Sequence, residues 1–550
     1  MCGFFHPAGI STDRTQLCVT WRNRFAYDAP RNRGKSGLDA RHWTGFTLIA
    51  ATVMLAMPLW RVWAPAMPDY PAHLASFALI SQGTGNAIYH LHWVFVPNLA
   101  SEILVPWLAR LVGLVTATKL FLTAGIVLWV MGPGMIHRAL YGRTGIAPLF
   151  GAAFAYNANF IWGFFNYYFS AGLAFALFAA WIATDGKRGP WRLAGFTVAV
   201  TVLYFCHLFA AASLVLMIAG YEIAQNWRLE RHNLRKLARR AGIAALTYIP
   251  AALAFVFLKP RGGDESGVQF NLIDTMADRF ESLVSHAFDD PAYTFPIALF
   301  IGLILALVFR KARLHPAMVV VLTLMFLAAL LAPEWALGGW AVHLRLPAVF
   351  ASLLFASAEI RLKPVLRVSL AVAALATIGS FSVGLASDWM AYDRQFAEFR
   401  ASLPSLPRGV RLLTVLDGNA LGERADQPYW HMAEFAVSER DAFTPLLFTT
   451  RGQHVVQLNP PYDRIAASSA QEGSPPDIDE LGFLAKGDVD ADEDIKDIFP
   501  YLIHFQCHFD VAVVIHLDGK RSAVPPMLKL RQAHAAFSLY DIVPDKACAK

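Results

Sequence analysis

Trp43-Thr-Gly-Phe-Thr-Leu-Ile-Ala-Ala-Thr-Val-Met-Leu-Ala-Met-Pro-Leu-Trp-Arg-Val-Trp63, followed at once by Ala64-Pro-Ala-Met-Pro-Asp69-Tyr70-Pro71-Ala72-His73, decides how this chain is read. The first part offers roughly twenty mostly apolar residues, the length that crosses ~30 Å of hydrocarbon. The second places an aspartate and a histidine at the exit of that span. An acidic and an imidazole side chain at a membrane surface suggest chemistry. Asp before Tyr-Pro is also a good helix N-cap, with proline just inside the start. Both readings stay open.

The composition agrees with a membrane class. The chain has 550 residues, of which 56% are hydrophobic and 16% charged, against about 25% charged in soluble domains. Its 15 Trp and 40 Phe suit interfacial belts and lipid-facing packing. The net charge of +6 implies no nucleic-acid partner, because the basic residues sit in loops between apolar runs. Five cysteines without CxxC spacing give no zinc or redox motif. Cys507 and Cys548 can pair if their region is extracytoplasmic. The first forty residues are too long and polar for a signal peptide, so the first span is read as a retained anchor.

Apolar runs fall near 43–63, 116–137, 144–163, 165–184, 191–206, 208–225, 241–258, 292–309, 316–332, 346–360 and 367–386. They predict an α-helical polytopic membrane protein with about eleven spans. Every second connection is basic: the arm at 1–42, Arg138 with Arg143, Lys187 to Arg192, Arg228 to Arg240, Arg310 to Arg313, and Arg361 to Arg367. This positive-inside pattern predicts a cytoplasmic N-terminus. The opposite connections then face outward: the long loop 64–115, the turns at 164 and 207, loops 259–291 and 333–345, and everything from about 387. Within the first loop, 70–82 and 99–114 read as helices lying at the interface, the second carrying Glu102 and Arg110 on an apolar surface.

From 387 to 550 the composition changes to prolines, an acidic run and strand-like stretches at Val410–Leu416 and Phe509–His516. We expect an α/β extracytoplasmic domain there, separate from a transmembrane domain at 43–386. The acidic stretch Asp488 to Asp494 lacks the glycine and terminal glutamate of a calcium loop and reads as a solvated linker. No nucleotide loop, serine-hydrolase elbow or zinc-protease motif is present.

The arrangement resembles the GT-C superfamily of membrane glycosyltransferases. The features that carry the resemblance are a span leaving a cytoplasmic N-terminus, a long outer loop opening on an acidic residue (Asp69), interfacial helices before the second span, and a domain after the last span. The chain also resembles a set of bacterial integral membrane proteins through Asp69-Tyr70-Pro71-x-His73, Pro97-Asn98-Leu99, Gly163-Phe-Phe-Asn-Tyr167 and Arg345-Leu-Pro347. The resemblance implies a polyprenyl-phosphate sugar donor, a lipid or glycan acceptor, contact with membrane lipids and residence in the bacterial inner membrane. In that family the first-loop acidic residue assists the acceptor or holds a metal, so a divalent metal ion stays open. The paired acidic motif of protein mannosyltransferases has no counterpart here, which weighs against a protein acceptor and against metal dependence.

Sugar transfer to a hydroxyl needs a base, and a carboxylate near a low-dielectric surface is suited to it. Asp69 is the candidate. His73, one helical turn on, would orient Asp69 or hold a phosphate. Arg345 offers a planar fork for the departing phosphate, with His343 or His207 beside it; Lys259 and Arg261 are alternatives. Asn157, Asn159 and Asn166 around Trp162 suit sugar binding or the satisfaction of backbone at a turn. Glu334 shares the loop of His343 and Arg345. Competing readings are a transporter or flippase, and a non-catalytic assembly protein for an envelope polysaccharide. A transporter would place polar groups at the midplane, usually in repeated halves; here they gather on one side and no repeat is evident.

Overall fold

The computed structural model describes residues 37–83, 85–186, 189–230, 233–258, 268–273, 275–283, 294–337, 339–418, 426–466, 474–486, 499–517, 521–545 and 548. Most of the basic arm, Lys259, Arg261, Asp264, Glu265 and the run Asp488 to Asp494 lie outside them. The contacts divide the chain after Trp43, and Thr44–Lys550 forms one unit.

The principal helices are α1 (Gly37–Arg61), α2 (Tyr70–Gln82), α3 (Ala100–Val112), α4 (Leu114–Tyr141), α5 (Ala147–Gly151), α6 (Ala158–Trp162), α7 (Phe165–Ala183), α8 (Pro190–Cys206), α9 (Leu208–Glu230), α10 (Leu234–Leu246), α11 (Ile249–Leu258), α12 (Thr294–Val308), α13 (Val319–Leu331), α14 (Val342–Ser357) and α15 (Pro364–Ser402). Five helices among the described residues are long and apolar enough to cross a membrane: α1 from Trp43, α4, α7, α9 and α15. Shorter apolar helices, α8, α12, α13 and α14, occupy other predicted spans. The protein is therefore a polytopic helical membrane protein.

The predicted span 241–258 is a bent pair, α10 and α11, with a 52° break. Pro250 explains the break: it brings no N–H, and its ring crowds the carbonyl four residues back, at Leu246. The predicted span 144–163 is corrected more deeply. It folds as α5, a 3-10 turn at Ala152–Phe154, and α6. Yet the chain still crosses there. Ideal Cβ atoms on Gly125 and Gly132 of α4 would meet Tyr168 and Phe175 of α7, so the two helices run parallel. Consecutive parallel helices require a return between them, and residues 142–164 supply it as a broken crossing. Broken backbone at this depth is tolerated because it is buried in protein and its polar groups are bonded internally.

Connections predicted to share a side meet. Arg143 pairs with Glu359 at 2.5 Å, Tyr141 donates to the Ser357 carbonyl at 2.8 Å, and β2 (Ala312–Leu314) pairs antiparallel with β3 (Ala358–Ile360).

The predicted interfacial helix 70–82 is also corrected. In α2, Tyr70 through Ile80 are all buried. Part of their cover is the C-terminal region, which shares one core with the first loop: Ala72, Leu79, Tyr89 and Val96 pack with Leu413, Val437, Leu447, Val456 and Val514. Strand β1 (Tyr89–Leu91) pairs antiparallel with β5 (Val456–Leu458). Helix α3 does present an apolar outer face, with Ile103, Trp107 and Leu111 exposed. Glu102 does not share that face; it is buried against α7.

The C-terminal sheet has the order β4 (Leu412–Asp417), β6 (Val511–His516), β8 (Phe537–Ile542), β7 (Leu528–Ala533), with β4 and β6 parallel and the rest antiparallel. Both predicted strand stretches are thus strands, and Cys507 is disulfide-bonded to Cys548.

Candidate active site

Residues 62–69 are held at several points before α2 begins. The Asp393 carboxylate of α15 accepts the N–H groups of Trp63 and Ala64, each at 2.9 Å. The Lys119 ammonium donates to the Val62 carbonyl. The N–H of Asp69 donates to the Trp162 carbonyl at 3.1 Å, and Tyr70 N–H to Met67 at 3.0 Å. Asp69 precedes α2 with helical φ and ψ, and its side chain makes no capping bond. The carboxylate therefore does not cap α2, the role that one of the two sequence readings gave it.

Opposite Asp69 stands the short α6. Asn157 caps it, accepting from Asn159 N–H at 3.0 Å and donating to the Phe154 carbonyl at 2.8 Å. Gly163 ends it at φ +92°, and a Cβ there would sit 3.1 Å from Asp69 Cβ. Only glycine fits this left-handed close approach at little cost. Asn159 also donates to the Leu344 carbonyl at 3.2 Å, tying α6 to α14.

Burial raises the Asp69 carboxyl from its ordinary value to about 7, opposed by the charges of His431 and Arg345. Arg345 lies against the rings of Phe209, Phe164 and Tyr167, its guanidinium carbon 5.0, 5.4 and 5.6 Å from their centroids. It donates to the Trp340 carbonyl at 3.0 Å, while its Nε has no hydrogen-bond partner among the described residues. His207 packs edge-on against the same Tyr167, centroids 5.2 Å apart, and its Nδ1 accepts from Phe209 N–H at 3.2 Å. Asp69, Arg345 and His207 thus belong to one neighbourhood. Adjoining it, Trp162 meets Trp340 edge-on at 5.2 Å and Trp430 at 5.8 Å.

The other expected residues are placed differently. His73 stacks on Phe165 at 4.5 Å, and burial drives its imidazole down to about 3. A neutral ring cannot pair with a phosphate by charge; its hydrogen bond goes to the Gly163 backbone, so it steadies the turn beside Asp69. Asn166 accepts from Ser101 N–H at 2.6 Å and donates to Glu102 at 2.8 Å, fastening α3 to α7. Burial lifts the Glu102 carboxyl to about 7. Asn157 spends both ends of its amide on the cap. His343 faces Asp278, Nε2 to Oδ2 3.9 Å, and Glu334 accepts from Asn271 at 2.7 Å.

Sequence reading missed Trp430, His431 and Glu434. Their signal is Tyr429-Trp-His431, an aromatic cluster in a region otherwise read as a cover. Among the described residues no group of three His, Cys, Asp or Glu is placed to hold a metal ion. Asp69 instead faces two basic groups, a poor environment for a divalent cation.

Neither a family model nor a curated protein matches the sequence. Among solved structures the chain is similar to the single-particle cryo-EM structure of arabinofuranosyltransferase AftD from Mycobacteria, with 17% identity and a TM-score of 0.46. The likeness covers 92% of this chain but 40% of that one, so this chain spans less than half the length of the protein it resembles.

Proposed function

We propose that this protein is a membrane glycosyltransferase of the GT-C kind. It moves a sugar from a polyprenyl-phosphate donor to a glycan or lipid acceptor outside the inner membrane. The observation that carries this reading is the Asp69 carboxylate, not used in capping, within electrostatic reach of Arg345 and next to a cluster of three tryptophans. An acceptor hydroxyl attacks the anomeric carbon, and Asp69 takes its proton. The anomeric carbon–phosphate oxygen bond breaks, and the phosphate leaves with the electron pair. Arg345, with an unspent buried Nε–H, meets the charge that develops there. The tryptophan cluster offers flat apolar faces for the sugar ring. The bonded Cys507–Cys548 pair and the basic alternate connections support an extracytoplasmic site above a cytoplasmic N-terminus.

The test uses membranes from cells producing wild type or Asp69→Asn, supplied with radiolabelled polyprenyl-phosphate sugars. Label should reach membrane glycan or lipid only with wild type. Undiminished transfer by a folded Asp69→Asn chain would remove Asp69 from the reaction.

A further inference from the structure

We infer that His431, brought by the C-terminal region and held by Glu434, is the cationic partner that positions charge on Asp69. The inference rests on the glycosyltransferase reading and adds a residue from the far end of the chain. His431 follows Trp430, whose indole packs on Trp162, the residue whose carbonyl accepts the Asp69 N–H. Its Nδ1 lies 3.6 Å from Glu434 Oε1, with both side chains essentially out of water. Neither Glu434 oxygen has a hydrogen-bond partner among the described residues. A buried carboxylate left in that state is costly unless a cation sits beside it.

Three imidazoles surround Phe448: His431 at 5.0 Å, His73 at 5.3 Å and His454 at 5.5 Å between centroids. The charged and titratable groups facing them are Glu434 and Asp69, with Arg345 beyond Asp69 and Tyr89 and Tyr501 beside Glu434. Burial drives His73 to about 3 and His454 to about 4, so both are neutral at pH 7. Burial opposes charge on His431 as well, but Glu434 and Asp69 outweigh it and its value rises. Of the three, His431 is the one set up to be an imidazolium. Its role is to hold the carboxylate of Asp69 ionised in a partly buried place, where a protonated Asp69 could not accept a proton. Glu434 keeps His431 charged, and the C-terminal region thereby becomes part of the machinery.

The experiment titrates the protonated-carboxyl infrared band of the full chain in lipid nanodiscs from pH 5 to 9. Asp69 is assigned by the band lost in Asp69→Asn. The wild-type midpoint is expected near 7. His431→Gln should raise it by about one unit, the effect of losing an opposite charge nearby. Glu434→Gln should raise it as well, by letting His431 lose its proton, since the charge acting on Asp69 is that of His431 and not that of Glu434. His454→Gln, which removes a neutral ring, should leave it in place. Glu434→Gln keeps the shape of the side chain and removes the carboxylate that holds His431 charged, so it stands in if His431→Gln does not fold. An unmoved midpoint in the folded variants, or an equal rise with His454→Gln, would overturn the inference. The band reports on Asp69 without any sugar, so failed transfer assays would count against the glycosyltransferase reading and not against this pairing.

Discussion

Asp69 carries opposite consequences for stability and activity. Its carboxyl is raised from 3.8 to about 7, chiefly by burial. Between those values the folded chain holds a proton that the unfolded chain has released, so stability falls as pH rises through that window. Above pH 7 the cost of the buried charge is fully present. Asp69→Asn should therefore melt higher than wild type at pH 8, by up to about 4 kcal/mol, less for whatever solvent reaches the partly buried carboxylate, while losing at least ~100-fold in transfer. The gap should close towards pH 4. Equal melting at both pH values would mean that the carboxylate is well solvated. A second variant probes the same spot. Gly163→Ala puts a Cβ 3.1 Å from Asp69 Cβ on a left-handed backbone, which should cost about 1 kcal/mol and impair transfer; wild-type melting and activity would show that the turn relaxes freely. The position of Asp69 was legible in the sequence, because proline and polarity mark the end of a span. Its freedom from capping was not, since that depends on a helical backbone and on the distant Trp162 carbonyl.

At the scale of elements, hydropathy located the apolar helices but not their form. The segment 144–163 is apolar enough to read as one span, yet Gly151, Asn157 and Gly163 let it fold as short pieces, with Asn157 supplying the bonds a continuous helix would have made itself. Its neighbours depend on small residues. A Cβ on Gly132 would lie 2.6 Å from Phe175 Cβ, and one on Gly172 2.7 Å from Leu128 Cβ. These glycines let α4 and α7 approach closely, the way helices associate where no hydrophobic effect drives them. Gly132→Ala should therefore lower the thermal midpoint, by about 1–3 kcal/mol of overpacking. Gly195→Ala, in α8 with open space around its Cβ, should gain up to ~1 kcal/mol from helix propensity. Thermal melts of the two purified variants decide it: shifts of the same sign would mean that the α4–α7 contact is looser than these distances imply. Helix α2 misled for a related reason. Its apolar residues are spread around the helix, which fits burial on every side better than a place at a surface.

Across the whole molecule, chain order hides the main packing decision. Residues 64–99 and 413–542 are far apart in sequence, and composition alone gave the second stretch the look of a separate body. Pairing of β1 with β5 and the common core join them. Arg400 extends the link: its guanidinium carbon stands 3.5 Å over the Trp63 ring, and it bonds Glu439 at 2.5 Å. Helix α15 makes this reach possible. At 39 residues it is about 58 Å long, far more than the ~30 Å hydrocarbon core, so its second half leaves the apolar layer and carries Asp393 and Arg400 to the segment before Asp69. A chain ending after Ser405 would keep α15 but strip the cover from Ala72, Leu79, Ile80, Tyr89 and Val96. At about 2 kcal/mol for each large apolar side chain returned to water, that loss rivals the whole margin of a folded domain. The truncated chain should therefore be cleaved within 64–99 by a protease added to the exposed side, and added residues 406–550 should not rescue it unless they refold onto α2. If it instead resists the protease and melts like the full chain, the first loop folds against the membrane helices alone, and the C-terminal region would be only a cover.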